Sequence, residues 1–500
     1  MTDYDVVVIG AGNGGLTAAA TLAQQGIKVM VLEKHNIPGG CATSFCRGRF
    51  EFEVALHQLS GLGTPEKPGP LLKILDDLKV AKDLKWVPMK NLYRVILPDK
   101  LMLTLPAERE GCIAALQNRF PEEKEGIAGF FDLVYAFFYE LMRAFFMKDP
   151  EITREKYPLY FKYALKNTSD VLDEYLHDPL LKLAVSVYWC YMGLPPNRLS
   201  FSDMAVLLFS YLEFKPFHLL GGSQSLSAVL LDQILQNGGS VRFNCAAREL
   251  EIKDGQVTGV YTEDDVLIKT RAVVSNASSL DTYHEFMDPT TLKPDKLREL
   301  RGSTVGPSSF TIYVGLDCEP AVLGISEATN FICTSTDMDY AFARCRQLDT
   351  SDDMLLVTCY DLVDPSFSPP GCSQVVIVDL KYSEPWESVP PQQYYQTKFD
   401  CAEALLKRVE ALYPGFREHI EEIEVATPLT HMRFLGHPGG AIYGFDQYAK
   451  DSSLFLSHRS PIPGLYLAGA WAGSGGFQPT LNSGVQAARA VIRELGRVER

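Results

Sequence analysis

A short apolar run, Asp5-Val6-Val7-Val8-Ile9, leads straight into Gly10-Ala11-Gly12-Asn13-Gly14-Gly15, and this junction constrains the fold more than any other feature of the chain. Gly10 permits a tight turn. Gly12 lets the backbone approach a pyrophosphate, and Gly15 lets the following helix pack closely on the strand, with Ala19 and Gly26 continuing the small-residue spacing. The N-terminus of a helix over Leu16 to Gln25 then faces the phosphates. A second strand, Lys28 to Leu32, ends at Glu33, 23 residues after Gly10. A carboxylate there accepts hydrogen bonds from a ribose 2′-hydroxyl and repels a 2′-phosphate. Strand, glycines, helix, strand and acid in register predict a βαβ unit that holds a dinucleotide.

At 500 residues the chain exceeds one compact core, so two or more interleaved domains are expected. Prolines 65, 68 and 70 mark a break before an expected hairpin, Leu92 to Leu97 and Leu101 to Leu105 around Pro98-Asp99-Lys100. Residues 107–215 read as helical and rich in aromatics. The α/β texture returns with a helix over Ser225 to Gln236 and strands at Val241 to Asn244, Leu250-Ile252, Val257 to Tyr261 and Ala272 to Ser275, which could extend the first sheet. Phe310 to Leu316, Met354 to Tyr360 and Val375 to Leu380 read as the strands of a second domain, followed by a helix from about Gln393 to Leu412. The strand Gly464 to Ala468, a glycine-rich loop and a helix from about Asn482 to Leu495 close the chain. The expected division is a discontinuous dinucleotide domain (1–62, 216–290 and 426–500) and a substrate domain (63–215 and 291–425), of which 107–215 is a helical apolar subdomain.

A net charge of −15 works against a grip on phosphate backbones, so nucleic acid is not expected as a partner. Eleven scattered cysteines favour reduced thiols in a cytoplasm over a disulfide framework. The uncharged run Pro461 to Ala488 carries too many prolines, glycines and polar residues for a membrane helix. Ile127 to Met147 repeats aromatic pairs at 130–131, 137–138 and 145–146 and reads as an amphipathic helix. A buried face is the leading expectation for it, with an apolar substrate tunnel or a bilayer surface as the others.

A second glycine pair follows the ribose acid at once, in His35-Asn36-Ile37-Pro38-Gly39-Gly40-Cys41-Ala42-Thr43-Ser44. This resembles flavoproteins of the glutathione-reductase and amine-oxidase type, in which the stretch lies along the flavin. Pro461 to Ala470, Gly473-Ser474-Gly475-Gly476 and Ser483 to Ala488 are similar to their closing FAD segment. A helix N-terminus at Leu481 to Gly484 would then direct partial positive charge at the flavin N1/C2=O edge. With Gly48 to His57, Leu220 to Leu226, Tyr313 to Leu316 and Pro438 to Gly444, the whole chain resembles the superfamily of phytoene desaturases, carotenoid isomerases and retinol saturases, a branch of the amine-oxidase-like flavoproteins. Two departures stand out. Glu53-Val54-Ala55 replaces the family's usual aspartate-x-glycine, and Cys41 stands where desaturases often carry arginine, which, like His57, is closer to the saturase-like branch.

The resemblance implies an α/β fold, a Rossmann-like FAD domain interleaved with a mixed-sheet and helical substrate domain. It assigns to FAD the residues Gly10, Gly12, Asn13, Gly14, Gly15, Glu33, Lys34, Gly39, Gly40, Cys41, Ala42 and Thr43, then Ala247 and Asn276, then Gly469, Ala470, Gln478, Pro479, Thr480 and Ser483. The activity it implies is desaturation, saturation or cis-trans isomerisation of a long apolar polyene or isoprenoid. An amine-oxidase-like reaction on a smaller substrate and a flavin-bearing redox partner without a substrate are the alternatives. No second fingerprint for a bound nicotinamide is visible, so oxygen, a quinone or a diffusible carrier is the expected electron acceptor or donor. Cys41 and Cys46 have the spacing of a redox disulfide, but the partner features of such enzymes are missing and small packed residues are favoured. His57 is the candidate catalytic residue, able to protonate a carbon or hold a polar group and to titrate near neutrality, against a purely structural histidine. His431, Arg433 and His437 are placed at the domain junction. No metal-ligand spacing is present. A homodimer and contact with a membrane surface complete the expectations.

Overall fold

The structure is a computed structural model that describes residues 2–147, 149–448, 458–473 and 475–496. Its organising element is a five-stranded parallel sheet in the order Leu465–Leu467, Ala272–Ser275, Val6–Ile9, Val29–Leu32, Ser240–Arg242. Strands buried on both faces need continuous apolar runs, and Val6–Ile9, Val29–Leu32 and Ala272–Ser275 are buried throughout. The helices Asn13–Gln24, Ser223–Gln236 and Phe477–Glu494 share an apolar core with this sheet.

One expectation fails here. The segments between 247 and 269 do not extend the parallel sheet but form an antiparallel sheet of their own, Ala247–Lys253, Gln256–Thr262 and Leu267–Lys269. The Asp254-Gly255 turn joins adjacent strands two residues apart, and so tight a connection allows only antiparallel pairing.

A second, mixed sheet of seven strands runs in the order Ile420–Ala426, Ser308–Leu316, Ser373–Lys381, Leu355–Cys359, Thr329–Ile332, Asn91–Leu97, Leu101–Pro106. The hairpin read at Pro98-Asp99-Lys100 is its far edge, with Leu97 opposite Leu101. One face packs on the helix Pro391–Leu412. The opposite face joins the helical region, whose long helix Lys124–Leu141 buries Phe130, Phe131, Phe137 and Phe138. Phe138 stacks on Phe209 of the helix Phe201–Glu213 at 3.7 Å between ring centroids. The pairs 130–131 and 137–138 therefore face protein, and exposed apolar side chains lie beyond them at Met147, Phe161 and Leu165. Among the described residues no helix is long and apolar enough to cross a membrane.

Candidate active site

In the parallel sheet the strand order reverses at Val6–Ile9, and a crevice opens beyond the carboxyl ends of strands at such a switch point. The residues that leave four strand ends, Gly10, Glu33, Asn276 and Gly469, all line one cavity of about 1110 Å³. So do Gly12, Asn13, Gly14, Lys34, Gly39, Gly40, Cys41, Ala42, Thr43, His57, Ala247, Ala470, Gln478, Pro479 and Thr480. Of the expected cofactor contacts, Gly15 and Ser483 alone lie behind this surface. Gly15 has no room for a side chain against the carbonyl of Gly10, and the Ser483 hydroxyl accepts the Gly469 N–H at 3.0 Å.

The fingerprint glycines make room for a protein group as well as for a ligand. A Cβ on Gly12 would lie 2.9 Å from Asn276 Nδ2, and one on Gly14 would lie 2.5 Å from Asn276 Oδ1 and 2.6 Å from the Gly469 nitrogen. The Asn276 amide thus sits among the turns that end three strands. Glu33 accepts the N–H groups of Ala11 (2.6 Å) and His35 (2.8 Å), which fixes its carboxylate at the rim. Thr43 Oγ1 donates to Gln224 Oε1 at 2.7 Å and Ser227 Oγ donates to the Ala42 carbonyl at 2.6 Å. Gln224 of the stretch Leu220 to Leu226 and the following Ser227 therefore clamp the second glycine loop onto the helix Ser223–Gln236.

The closing helix begins at Phe477, five residues before the expected Asn482. Gln478, Pro479 and Thr480 form its first turn and face the cavity, so the partial positive charge of the helix end is delivered there and not at Leu481 to Gly484. Proline at the third position misled the sequence reading, although it is compatible with a first turn whose N–H groups have no helical partner. Ser474 of the preceding loop lies outside the described residues.

Glu53 organises the opposite wall. Its buried carboxylate accepts from Ser223 N (2.6 Å), Ser223 Oγ (2.7 Å), Leu56 N (3.0 Å) and Ala55 N (3.2 Å). Burial pushes this carboxyl up while the four donors pull it back. The bonds fold Val54 to Ser60 across the cavity, which gives the departure at 53–55 a structural meaning. His57 lies in this segment, with Nδ1 3.1 Å from the Tyr360 hydroxyl. Among the described residues Nδ1 is the one hydrogen-bond partner of the buried Tyr360 hydroxyl, and a neutral ring that accepts from Tyr360 there carries its own proton on Nε2. Burial lowers His57 to about 4, so its expected titration near neutrality is corrected: the ring is neutral at pH 7. His431 and His437 also line the cavity and are likewise lowered by burial to about 4.

The remaining wall was not located from sequence. Asp203, Val206, Leu207, Ser210 and Tyr211 form one face of the helix Phe201–Glu213, at positions i, i+3, i+4, i+7 and i+8. Met354 and Leu356, with Val378 and Leu380, approach from the mixed sheet at the two-residue spacing of one sheet face. Tyr191, Met192, Ile442 and Tyr443 complete it, and the aromatic helix Lys124–Leu141 contributes no lining residue.

All eleven cysteines are free thiols, and burial pushes Cys41 up to about 11 and Cys190 well above its ordinary value, which removes thiolate character at the two that line the cavity. Asp317, Cys318 and His419 come together at the far end of the mixed sheet, a cluster invisible as a spacing motif because His419 is a hundred residues away.

Residues 14–492 match the flavin-containing amine oxidoreductases. The chain belongs to that family. A chloroplast prolycopene isomerase of Arabidopsis thaliana is 26% identical over 99% of this chain and 83% of its own length. An all-trans-retinol 13,14-reductase of Danio rerio is 25% identical over 93% of this chain and 82% of its own. The fold is that of an oxidoreductase from Methanosarcina mazei, with a TM-score of 0.65, 17% identity and coverage of 98% and 100% of the two chains. FAD is the cofactor of this amine-oxidase-like oxidoreductase. The residues present fit it: the first turn of the helix Asn13–Gln24 opens on the cavity, Asn13 Oδ1 is buried without a partner among the described residues, and the space exceeds the roughly 300–1,000 Å³ of an ordinary ligand pocket.

Proposed function

We propose that the protein is an FAD-dependent oxidoreductase of long apolar polyenes or isoprenoids, acting by desaturation, saturation or isomerisation of their double bonds. The observation that carries this is the chemistry of the cavity, where polar turns at the strand ends pass into a wall that includes Tyr191, Met192, Val206, Leu207, Met354, Leu356, Val378 and Leu380. Such a wall gains binding energy by removing apolar surface from water, at about 25 cal/mol per Å². The similarity to a prolycopene isomerase and a retinol reductase points the same way.

The twenty residues named above for FAD are proposed as its binding set, with Gly15 and Ser483 acting from behind the surface. Residues 1–62, 216–290 and 426–500 are proposed as the FAD domain, and 63–215 and 291–425 as the substrate domain. When bound, the flavin supplies two-electron chemistry at N5. The chain's part is to orient and to exclude water: Glu53 fixes Val54 to Ser60, the helix Phe201–Glu213 and the mixed sheet grip the substrate, and neutral His57 offers a hydrogen-bond donor fixed by Tyr360. The parallel sheet is the one dinucleotide-type sheet among the described residues, so oxygen, a quinone or a diffusible carrier is proposed to exchange electrons with the flavin.

A membrane surface is the proposed source of substrate. Exposed Met147, Phe161 and Leu165 lie in one stretch of the helical region, where their apolar side chains are open to a bilayer surface. A homodimer is proposed alongside. The second reading, an amine oxidase of a smaller substrate, is favoured by Tyr191, Tyr211 and Tyr443 on the wall. Solvent extraction of the purified protein followed by chromatography separates the two: recovery of a polyene or isoprenoid supports the first, and repeated blank extracts with turnover of amines support the second.

A further inference from the structure

The mixed sheet carries another group of chemically useful side chains, away from the cofactor cavity. Asp317, Cys318 and His419 each contribute one donor atom, a carboxylate oxygen, the thiol sulfur and an imidazole nitrogen, and these atoms all lie within 4.8 Å of one another. None of the three residues lines the cavity.

The backbone that holds them is fixed from both sides. Asp317 and Cys318 follow the strand Ser308–Leu316, where a register shift between Gly315 and Leu316 interrupts the ladder to Ile420–Ala426. Such an irregularity re-aims the side chains beside it. Beyond it the Asp317 N–H still donates to the His419 carbonyl at 3.0 Å, and Ser373 Oγ donates to the Cys318 carbonyl at 2.8 Å. His419 closes the turn Phe416–His419, which the Glu410 carboxylate pins by accepting from Gly415 N (3.0 Å) and Arg417 N (2.8 Å). Bonds to the main chain therefore bring the donors together and leave their side chains free to adjust.

An exposed aspartate–histidine pair contributes little to stability by itself. Here His419 Nδ1 is 2.7 Å from Asp317 Oδ1, and a buried thiol with no hydrogen-bond partner among the described residues stands beside both. Arg49, the cation that acts on this cluster from the neighbouring hairpin, is already committed to Glu421 through two bonds of 2.8 and 2.6 Å. The cluster is left with spare lone pairs and little positive charge to meet them.

We propose that Asp317, Cys318 and His419 form a site for a zinc-type divalent cation, with a fourth position open to water, that staples the edge strand Ile420–Ala426 to its neighbour Ser308–Leu316. Thiolate, imidazole and carboxylate together suit zinc, whereas calcium and magnesium take oxygen ligands. Donors bound to a tetrahedral zinc stand roughly 3.3–3.6 Å apart, so the carboxylate and imidazole part and the sulfur draws in, each by roughly an ångström. Asp317 and His419 are partly exposed, which supplies that freedom and a path for the ion from solvent. Burial, then the charges of Asp317 and Cys372, push the Cys318 thiol up, so binding sends its proton to solvent as the sulfur–metal bond forms. The two strands supply Ser309, Thr311, Tyr313 and Glu424 to Ala426 to the cavity wall, and the ion steadies that wall from outside without touching cofactor or substrate.

The test uses the full chain loaded with FAD, stripped of metal by a chelator and dialysed. Cobalt(II) is the probe, read as a difference spectrum, because a thiolate ligand gives it a charge-transfer band and a tetrahedral site gives it visible bands beyond the flavin absorption. Zinc is then added to displace it. One cobalt per chain, displaced by one zinc, is the expected result. Cys318→Ser is expected to lose the charge-transfer band, and His419→Gln to weaken zinc binding by at least about tenfold. Cys46→Ser, which removes an exposed thiol elsewhere, is expected to bind as wild type does. Zinc is expected to raise the thermal midpoint of wild type and not that of His419→Gln. Retention of the flavin spectrum reports folding, and if Cys318→Ser does not fold, the partly exposed His419→Gln carries the test. A cobalt spectrum unchanged in Cys318→Ser, equal zinc affinity in wild type and His419→Gln, or a wild type that takes up neither ion overturns the site. Each of these results leaves the proposed polyene chemistry of the cavity standing.

Discussion

Gly14→Ala is informative because local and tertiary physics predict opposite signs. In a helix alanine is better than glycine by about 0.5–1 kcal/mol, so propensity alone predicts a more stable protein. The structure predicts a clash. The new Cβ would stand 2.6 Å from the Gly469 nitrogen and 2.9 Å from its Cα, where ordinary contact begins at 3.4 Å, so the fingerprint turn and the Gly469 turn must part by about 0.8 Å. The Asn276 side chain, 2.5 Å from the new Cβ, can turn aside, but Gly469 is held by Ser483 and its contact is backbone, which cannot. Overpacking of this kind costs about 1–3 kcal/mol. FAD spans both turns in the proposed binding set, so its binding draws together what the methyl pushes apart, and the strain shows as a loss of affinity of about 5- to 150-fold. The assay is titration of apoprotein with FAD, followed by quenching of flavin fluorescence. Gly473→Ala is the control, since Gly473 is extended at φ −175° with nothing within 4 Å of its Cβ position. Binding of FAD by Gly14→Ala within twofold of wild type would refute the reasoning.

Lys381 is fully buried with its Nζ 2.5 Å from Asp353 and 3.4 Å from Asp379; Lys381→Met leaves Asp353 with Arg344 alone and removes the cation beside Asp379, and should cost about 3–5 kcal/mol, read as a lower urea midpoint, and an unchanged midpoint would contradict the assignment. Burial raises Asp446 to about 7, so the native state holds a proton that the unfolded chain has released, and its contribution is complete below about 4 and lost as pH rises through 7. Asp446→Asn should therefore gain stability relative to wild type between pH 5 and 8, with thermal unfolding at the two pH values as the measurement and a pH-independent difference as the contrary result. Phe209→Ala removes the ring stacked on Phe138 and should cost about 3–5 kcal/mol of stability, while FAD affinity stays within a fewfold because neither ring lines the cavity.

Much of this was legible in the sequence because it is local. The fingerprint, Glu33, the second glycine pair and the closing segment are short stretches whose roles follow from spacing, and their ends meet in one crevice because the strands carrying them lie side by side. The helix start at Phe477 was missed for a local reason, since Pro479 reads as a breaker when the turn before it is unknown. The placement of Ala247–Lys253 depended on which neighbour a strand pairs with, and that is a tertiary choice. The substrate wall was out of reach for the same reason. Val206, Leu207, Met354, Leu356, Val378 and Leu380 show helix and strand periodicity, but periodicity names a buried face without saying whether protein or ligand covers it. The aromatic helix Lys124–Leu141 shows the converse, a conspicuous apolar pattern that turns out to face protein.

The most direct test is anaerobic mixing of the FAD-loaded enzyme, oxidised and reduced in turn, with retinoids, carotenoids and amines while the flavin absorption is followed. A polyene that perturbs the flavin bands, and bleaches or restores them or leaves with its double bonds rearranged, is the predicted result, the change in oxidation state separating desaturation, saturation and isomerisation. Flavin bands that respond to amines and to none of the polyenes would contradict the account.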